Sequence, residues 1–171
     1  LTLSDQGKNV VPLNLLLDES QRIVIISGPN AGGKSICLKT TGILQYMLQC
    51  GLLVSASPDS VFRVFKNIFI DIGDEQSLEN DLSTYSSHLL NMKYFLRYSN
   101  SETLILIDEF GSGTEPQLGG SIAEATLEQL NKKNSYGIIT THYTNVKLAA
   151  EKLEGIVNGA MLFDSKEMQP L

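Results

Sequence analysis

IVIISGPNAGGKS, running from Ile23 to Ser35, is the stretch whose reading decides the fold. Four consecutive apolar residues, Ile23 to Ile26, read as a strand buried on both faces. The eight residues from Gly28 to Ser35, GPNAGGKS, satisfy G-x-x-x-x-G-K-[ST], the pattern of a phosphate-binding loop between a strand and a helix. Such a loop wraps backbone N–H groups around an anion. Gly28, Gly32 and Gly33 supply the close approach and the positive φ angles that a side chain would obstruct. Lys34 brings a point charge to the β and γ phosphates, and Ser35 offers a hydroxyl to Mg²⁺. The helix that starts there aims its positive end at the same place. The nucleotide-binding set read from this stretch is Gly28, Pro29, Asn30, Ala31, Gly32, Gly33, Lys34, Ser35 and Ile36, with ATP or ADP and Mg²⁺ as the implied cofactors.

Outward from the loop, β-rich runs alternate with helical periodicity, which predicts an α/β domain with a mostly parallel central sheet flanked by helices. Strands are expected over Arg22–Ser27, Val61–Asp71, Thr103–Asp108, Tyr136–Thr140 and around Val157–Phe163. Helices are expected over Lys34–Gln49, Ser86–Tyr98 and Gln117–Lys132, with a short one from His142 toward Lys152. In the first, Ile36, Thr40, Ile43, Leu44 and Met47 share a face, and Gly51 is suited to end it. In the second, the spacing buries Leu89, Met92 and Leu96; in the third, Ile122, Ala123, Leu127 and Leu130.

LILIDEFGSGTEP, Leu104 to Pro116, is a second apolar strand, and it delivers Asp108 and Glu109 at its carboxyl end, where open α/β sheets bind ligands. An apolar run closed by Asp-Glu is common by itself. Behind a phosphate loop it has the form of a Walker B segment. Asp108 would hold Mg²⁺ through water, and Glu109 would orient or deprotonate the water that attacks the γ phosphate. His142 in IITTHY again follows a buried strand and can offer a ring N–H to that phosphate. His88 reads as structural or interfacial.

The chain has 171 residues, 42% of them hydrophobic, enough for one globular core. No apolar run approaches bilayer length and no signal-like segment opens the text, so no membrane partner and a cytoplasmic setting are expected. The absence of a starting Met suggests a fragment of something longer. Cys37 and Cys50 lack disulfide or zinc spacing and are expected as reduced core thiols. With 13 Lys and Arg against 19 Asp and Glu, a net charge of −6, the segment is a poor match for a nucleic-acid backbone, so DNA contact is expected from elsewhere.

GPNAGGKS, DIGDEQSLENDLSTYSSH (Asp71 to His88), LILIDEFGSGTEP and TTHY (Thr140 to Tyr143), in this order, resemble the ATPase domain of the MutS family. The wording DIGDEQS and STYSSH resembles its type-two, recombination-suppressing branch more than the mismatch-recognising one. The resemblance runs from Val10 to about Pro170, making residues 1–171 one ABC-type ATPase head of P-loop NTPase fold. It further implies a homodimer through the heads, with nucleotide sandwiched between them. Ser83 and Thr84 would then approach the γ phosphate held by the partner chain. Asn30 would contact phosphate, Asp71 and Asp74 would approach the metal or its waters, and Gly111 to Glu115 would line the dimer seam. DNA would be bound through domains not present in these residues.

Two departures stand out. Val10-Val11-Pro12-Leu13-Asn14 lacks the aromatic residue that stacks on adenine in the mismatch-repair branch, and no LSGGQ is present, which disfavours a transporter ATPase. The function so implied is an ATP-hydrolysing switch coupled to DNA repair or recombination. The other reading is a nucleotide-sensing assembly module with little turnover.

Overall fold

The computed structural model describes residues 6–7, 10–28, 33–73, 81–161, 163–164 and 169–170, with backbone alone for 81–84 and the last two short pieces. Strands and helices alternate: β1 (Gln21–Ser27), α1 (Lys34–Gln49), β2 (Asn67–Asp71), α2 (Asp81–Tyr98), β3 (Thr103–Ile107), α3 (Pro116–Lys132), β4 (Tyr136–Thr140), α4 (Thr144–Ala150) and β5 (Gly155–Ala160). Two further short strands, β6 (Phe163–Asp164) and β7 (Gln169–Pro170), pair antiparallel with each other. The main sheet has the order β2-β3-β4-β1-β5, and all its pairs are parallel. The α/β expectation with helices on both faces therefore holds.

Two apolar layers sandwich this sheet because alternate residues of one strand face opposite ways. Ile23, Ile25, Ile105, Ile107 and Ile139 pack toward α2, α3 and α4, against Met92, Phe95, Ala123, Leu127, Leu130, Val146 and Ala150. Val24, Ile26, Leu104, Leu106 and Ile138 pack the other way, against Cys37 and Leu38 of α1 and against Phe65.

The α1 boundaries match the sequence reading, but its buried face does not. Cys37, Leu38, Gly42 and Gln45 are buried, whereas Ile36 is 70% and Ile43 59% exposed. Close approach to the sheet selects the face: a Cβ on Gly42 would stand 2.8 Å from the Leu106 side chain. Gln45 is tolerated inside because its amide donates to Arg63 O at 2.8 Å. The helix ends as anticipated at Gly51, φ +77°, whose N–H donates to Leu48 O while Leu52 N donates to Met47 O, a Schellman closure. Cys37 is buried, but Cys50, the cap residue of α1, is exposed; both are free thiols.

Three other boundaries move. Only Asn67–Asp71 of the expected Val61–Asp71 strand pairs with β3, in register from Thr103. The preceding residues are held instead by α1, with Gln49 bonding both Phe65 N and Phe65 O. Helix α2 starts at Asp81 rather than Ser86, since Met92 and Phe95 dock it on the sheet despite the weak helix preference of its Ser and Thr residues. Of its expected buried residues, Met92 is buried, Leu96 packs against the core in part, and Leu89 stays exposed. The late strand divides into β5 and β6.

Candidate functional site

The carboxyl ends of β1, β4 and β3 lie side by side, so whatever follows these strands meets at one rim of the sheet. Behind β1 comes Gly28, φ +138°, and then Gly33, φ +82°, at the N-cap of α1. Among the described residues no side chain caps that helix end. Pro29, Asn30, Ala31 and Gly32 lie outside the described residues, as does Asp74.

Lys34, the first residue of α1, is 3% exposed, and its Nζ donates to Gly28 O at 2.7 Å. The lysine thus reaches back to the residue that follows β1. Burial pulls its pKa below the ordinary lysine value, while the charges of Glu109 and, more weakly, Asp108 act in the opposite sense. Ser35 is half-buried on the first turn, and Ile36 points to solvent.

Asp108 stands immediately after β3, 6% exposed, and Glu109, half-buried, turns the chain with φ +50°. Thr140, the last residue of β4, joins the two: its hydroxyl accepts from Glu109 N at 2.8 Å and donates to Asp108 Oδ1. His142 is exposed two residues beyond β4. Its neighbour Thr141 ties β4 to β1 through Thr141 N and Ile26 O at 3.3 Å.

The structure therefore brings Lys34, Asp108 and Glu109 together and sets His142 on the same rim. Ser83 and Thr84 sit in the first turn of α2; their side chains lie outside the described residues. Asp71, at the end of β2, is committed to α2: His88 Nδ1 meets its Oδ2 at 2.7 Å and Asn91 donates to its Oδ1 at 2.8 Å. The stretch Gly111 to Glu115 is clamped onto α3. Tyr143 donates to Gly111 O at 3.0 Å, and Glu115 caps α3 by accepting from Gln117 N and Leu118 N. Those two bonds hold the Glu115 carboxyl below its ordinary pKa.

Sequence reading missed Thr140 and the partner of His88. A hydroxyl at the end of an all-apolar strand, next to a second one at Thr141, was the available signal for the first; the His88–Asp71 contact crosses two elements and left no local mark.

The MutS domain V family matches residues 24–170. The chain belongs to the MutS family. It is 49% identical over 149 residues to Endonuclease MutS2 of Borreliella burgdorferi, covering 87% of this chain and 19% of that protein. It is 44% identical over 163 residues to Endonuclease MutS2 of Thermomicrobium roseum, and 46% over 163 residues to that of Lactobacillus acidophilus, covering in each case 95% of this chain and 21% of the relative. These relatives place it in the MutS2 branch. The chain spans about a fifth of the length of the curated relatives it matches. No helix among the described residues is long and apolar enough to cross a membrane.

Proposed function

We propose that this chain is an ABC-type P-loop ATPase head of a longer MutS2-type protein, which hydrolyses ATP to ADP and phosphate and passes the change to DNA-binding domains elsewhere in that protein. The observation that carries the reading is the convergence of a buried lysine and two strand-end acids on one rim, with both acids acting electrostatically on that lysine.

The residues fit a triphosphate with a divalent ion. Helix α1 has Gly33 at its N-cap, and its first-turn N–H groups have no side-chain cap among the described residues. Asp108 is a buried carboxylate with one oxygen committed to Thr140. Magnesium commonly takes one or two side chains and completes its shell with phosphate and water. Ser35 and Asp108 are the proposed holders. Bound magnesium would neutralise charge building on the phosphates.

Lys34 neutralises the β and γ oxygens, a role its burial strengthens because the local dielectric is low. Glu109 orients the attacking water and takes its proton, and His142 offers a ring N–H to the γ phosphate. In a head-to-head homodimer, Ser83 and Thr84 of each chain meet the partner's γ phosphate at the α2 N-terminus. Contacts present with ATP and lost with ADP give the closed dimer different stability in the two states, which makes the head a switch. A cytoplasmic setting accompanies this reading.

The test is Glu109→Gln in the intact protein carrying this chain. Phosphate release is expected to fall by about two orders of magnitude or more, while ATP affinity stays within about twofold. A variant that releases phosphate at the parent rate would remove Glu109 from the catalytic role, and a parent that binds nucleotide without turnover would favour a nucleotide-sensing module instead.

A further inference from the structure

We propose that Thr140 is a positioning residue for hydrolysis, which sets the separation between the acid on the metal side and the acid on the water side; this rests on the ATPase reading above. Glu109 is one of two non-glycine residues with positive φ among the described residues, at +50°, so its backbone is held where an L side chain is disfavoured. Such a bend persists only if its surroundings fix it. Glu109 N donates to the Thr140 hydroxyl at 2.8 Å, and Phe110 N donates to the Thr140 carbonyl at 2.8 Å, so one residue of β4 pins both N–H groups of the turn.

The same hydroxyl has one proton, and it goes to Asp108 Oδ1. Its acceptor side being occupied by the Glu109 N–H, a relay runs from the backbone of one acid to the carboxylate of the next. Each bond polarises the other. Thr140 is fully buried, so water does not compete for either bond. The bond to Oδ1 fixes the rotation of the Asp108 carboxylate and leaves Oδ2, which accepts no hydrogen bond from the described residues, as the oxygen for the metal or its water. The strained turn meanwhile sets the direction of the Glu109 side chain. Threonine suits the task because its β-branch stiffens χ1, which holds the hydroxyl between the two acids. Valine would fill the same space without either bond.

The experiment compares Thr140→Val and Thr140→Ser with the parent in the intact protein, after a thermal melt has shown each variant folded. Three quantities are read: kcat and KM for ATP, the Mg²⁺ concentration at half-maximal turnover, and the gain in affinity for a non-hydrolysable ATP analogue when Mg²⁺ is added. Thr140→Val is expected to lose about 10- to 100-fold in kcat with KM nearly unchanged, to require more Mg²⁺, and to lose most of the Mg²⁺-dependent gain in analogue binding while keeping its Mg²⁺-free affinity. Thr140→Ser is expected to recover most of each. Parent-like values for Thr140→Val overturn the proposal, and so does a Thr140→Ser as impaired as Thr140→Val, since the hydroxyl would then not be the operative group. Should Thr140→Val not fold, the serine variant alone decides. A parent without turnover refutes the ATPase reading, and the Mg²⁺-dependent binding of the analogue still tests Thr140.

Discussion

Lys34 carries the opposing forces of the site in one side chain. Burial disfavours its ammonium form, and the carboxylates of Glu109 and Asp108 favour it. Removing one of those negative charges must therefore lower the lysine pKa further. In Glu109→Gln the ammonium loses its proton at a lower pH than in the parent, so the alkaline fall in nucleotide affinity is expected to begin earlier. Titrating analogue binding against pH in the two proteins checks the sign; an alkaline limb that stays in place or moves upward would show that the two groups do not couple. Gly28 and Lys34 stood out in the sequence because the glycine-and-lysine pattern between β1 and α1 sets residue types at fixed spacing. Thr140 was not, because its role depends on β3 and β4 lying side by side, 31 and 32 positions from the groups it bonds.

At the scale of elements, the position of α2 is set by a polar contact rather than by its apolar stripe alone. His88 and Asn91 both hold the buried Asp71 carboxylate, and the adjacent backbone link from Asp108 N to Asp71 O at 2.9 Å ties that contact to the acid-bearing end of β3. A helix carrying Ser83 and Thr84 is in this way registered against Asp108. Replacing His88 with Ala leaves one oxygen of a buried carboxylate without its partner, at a cost of about 1–3 kcal/mol. His88→Asn can place an amide N–H close to the position of Nδ1 and is expected to restore about half of that loss or more. Chemical denaturation midpoints of the three proteins provide the comparison, and equal midpoints would mean the contact adds nothing to stability. The early start of α2 and the rotated face of α1 share one cause: propensity and hydrophobicity rank residues singly, whereas Gly42 is buried for being small and Gln45 for having an acceptor in reach.

For the whole molecule, the five-stranded parallel sheet gathers Lys34, Asp108, Glu109 and His142 at one rim, and the proposed composite site needs a second rim to face it. Turnover per chain is accordingly expected to rise with protein concentration and then level as heads pair. A rate per chain that stays constant from dilute to concentrated protein would rule out a shared site. What the sequence by itself determined is whatever depends on local spacing: the apolar strand just ahead of Asp108-Glu109, the α/β alternation, and the family resemblance that the matched domain and its relatives bear out. Only the tertiary structure decided which groups share a hydrogen bond across strands, which face of α1 meets the sheet, and that Asp71 is bound to His88 and Asn91. The division is physical. A motif is written in neighbouring residues because backbone geometry fixes their separation, whereas the partner of a buried hydroxyl or carboxylate is chosen by strand order and packing, which bring together residues the chain itself keeps far apart.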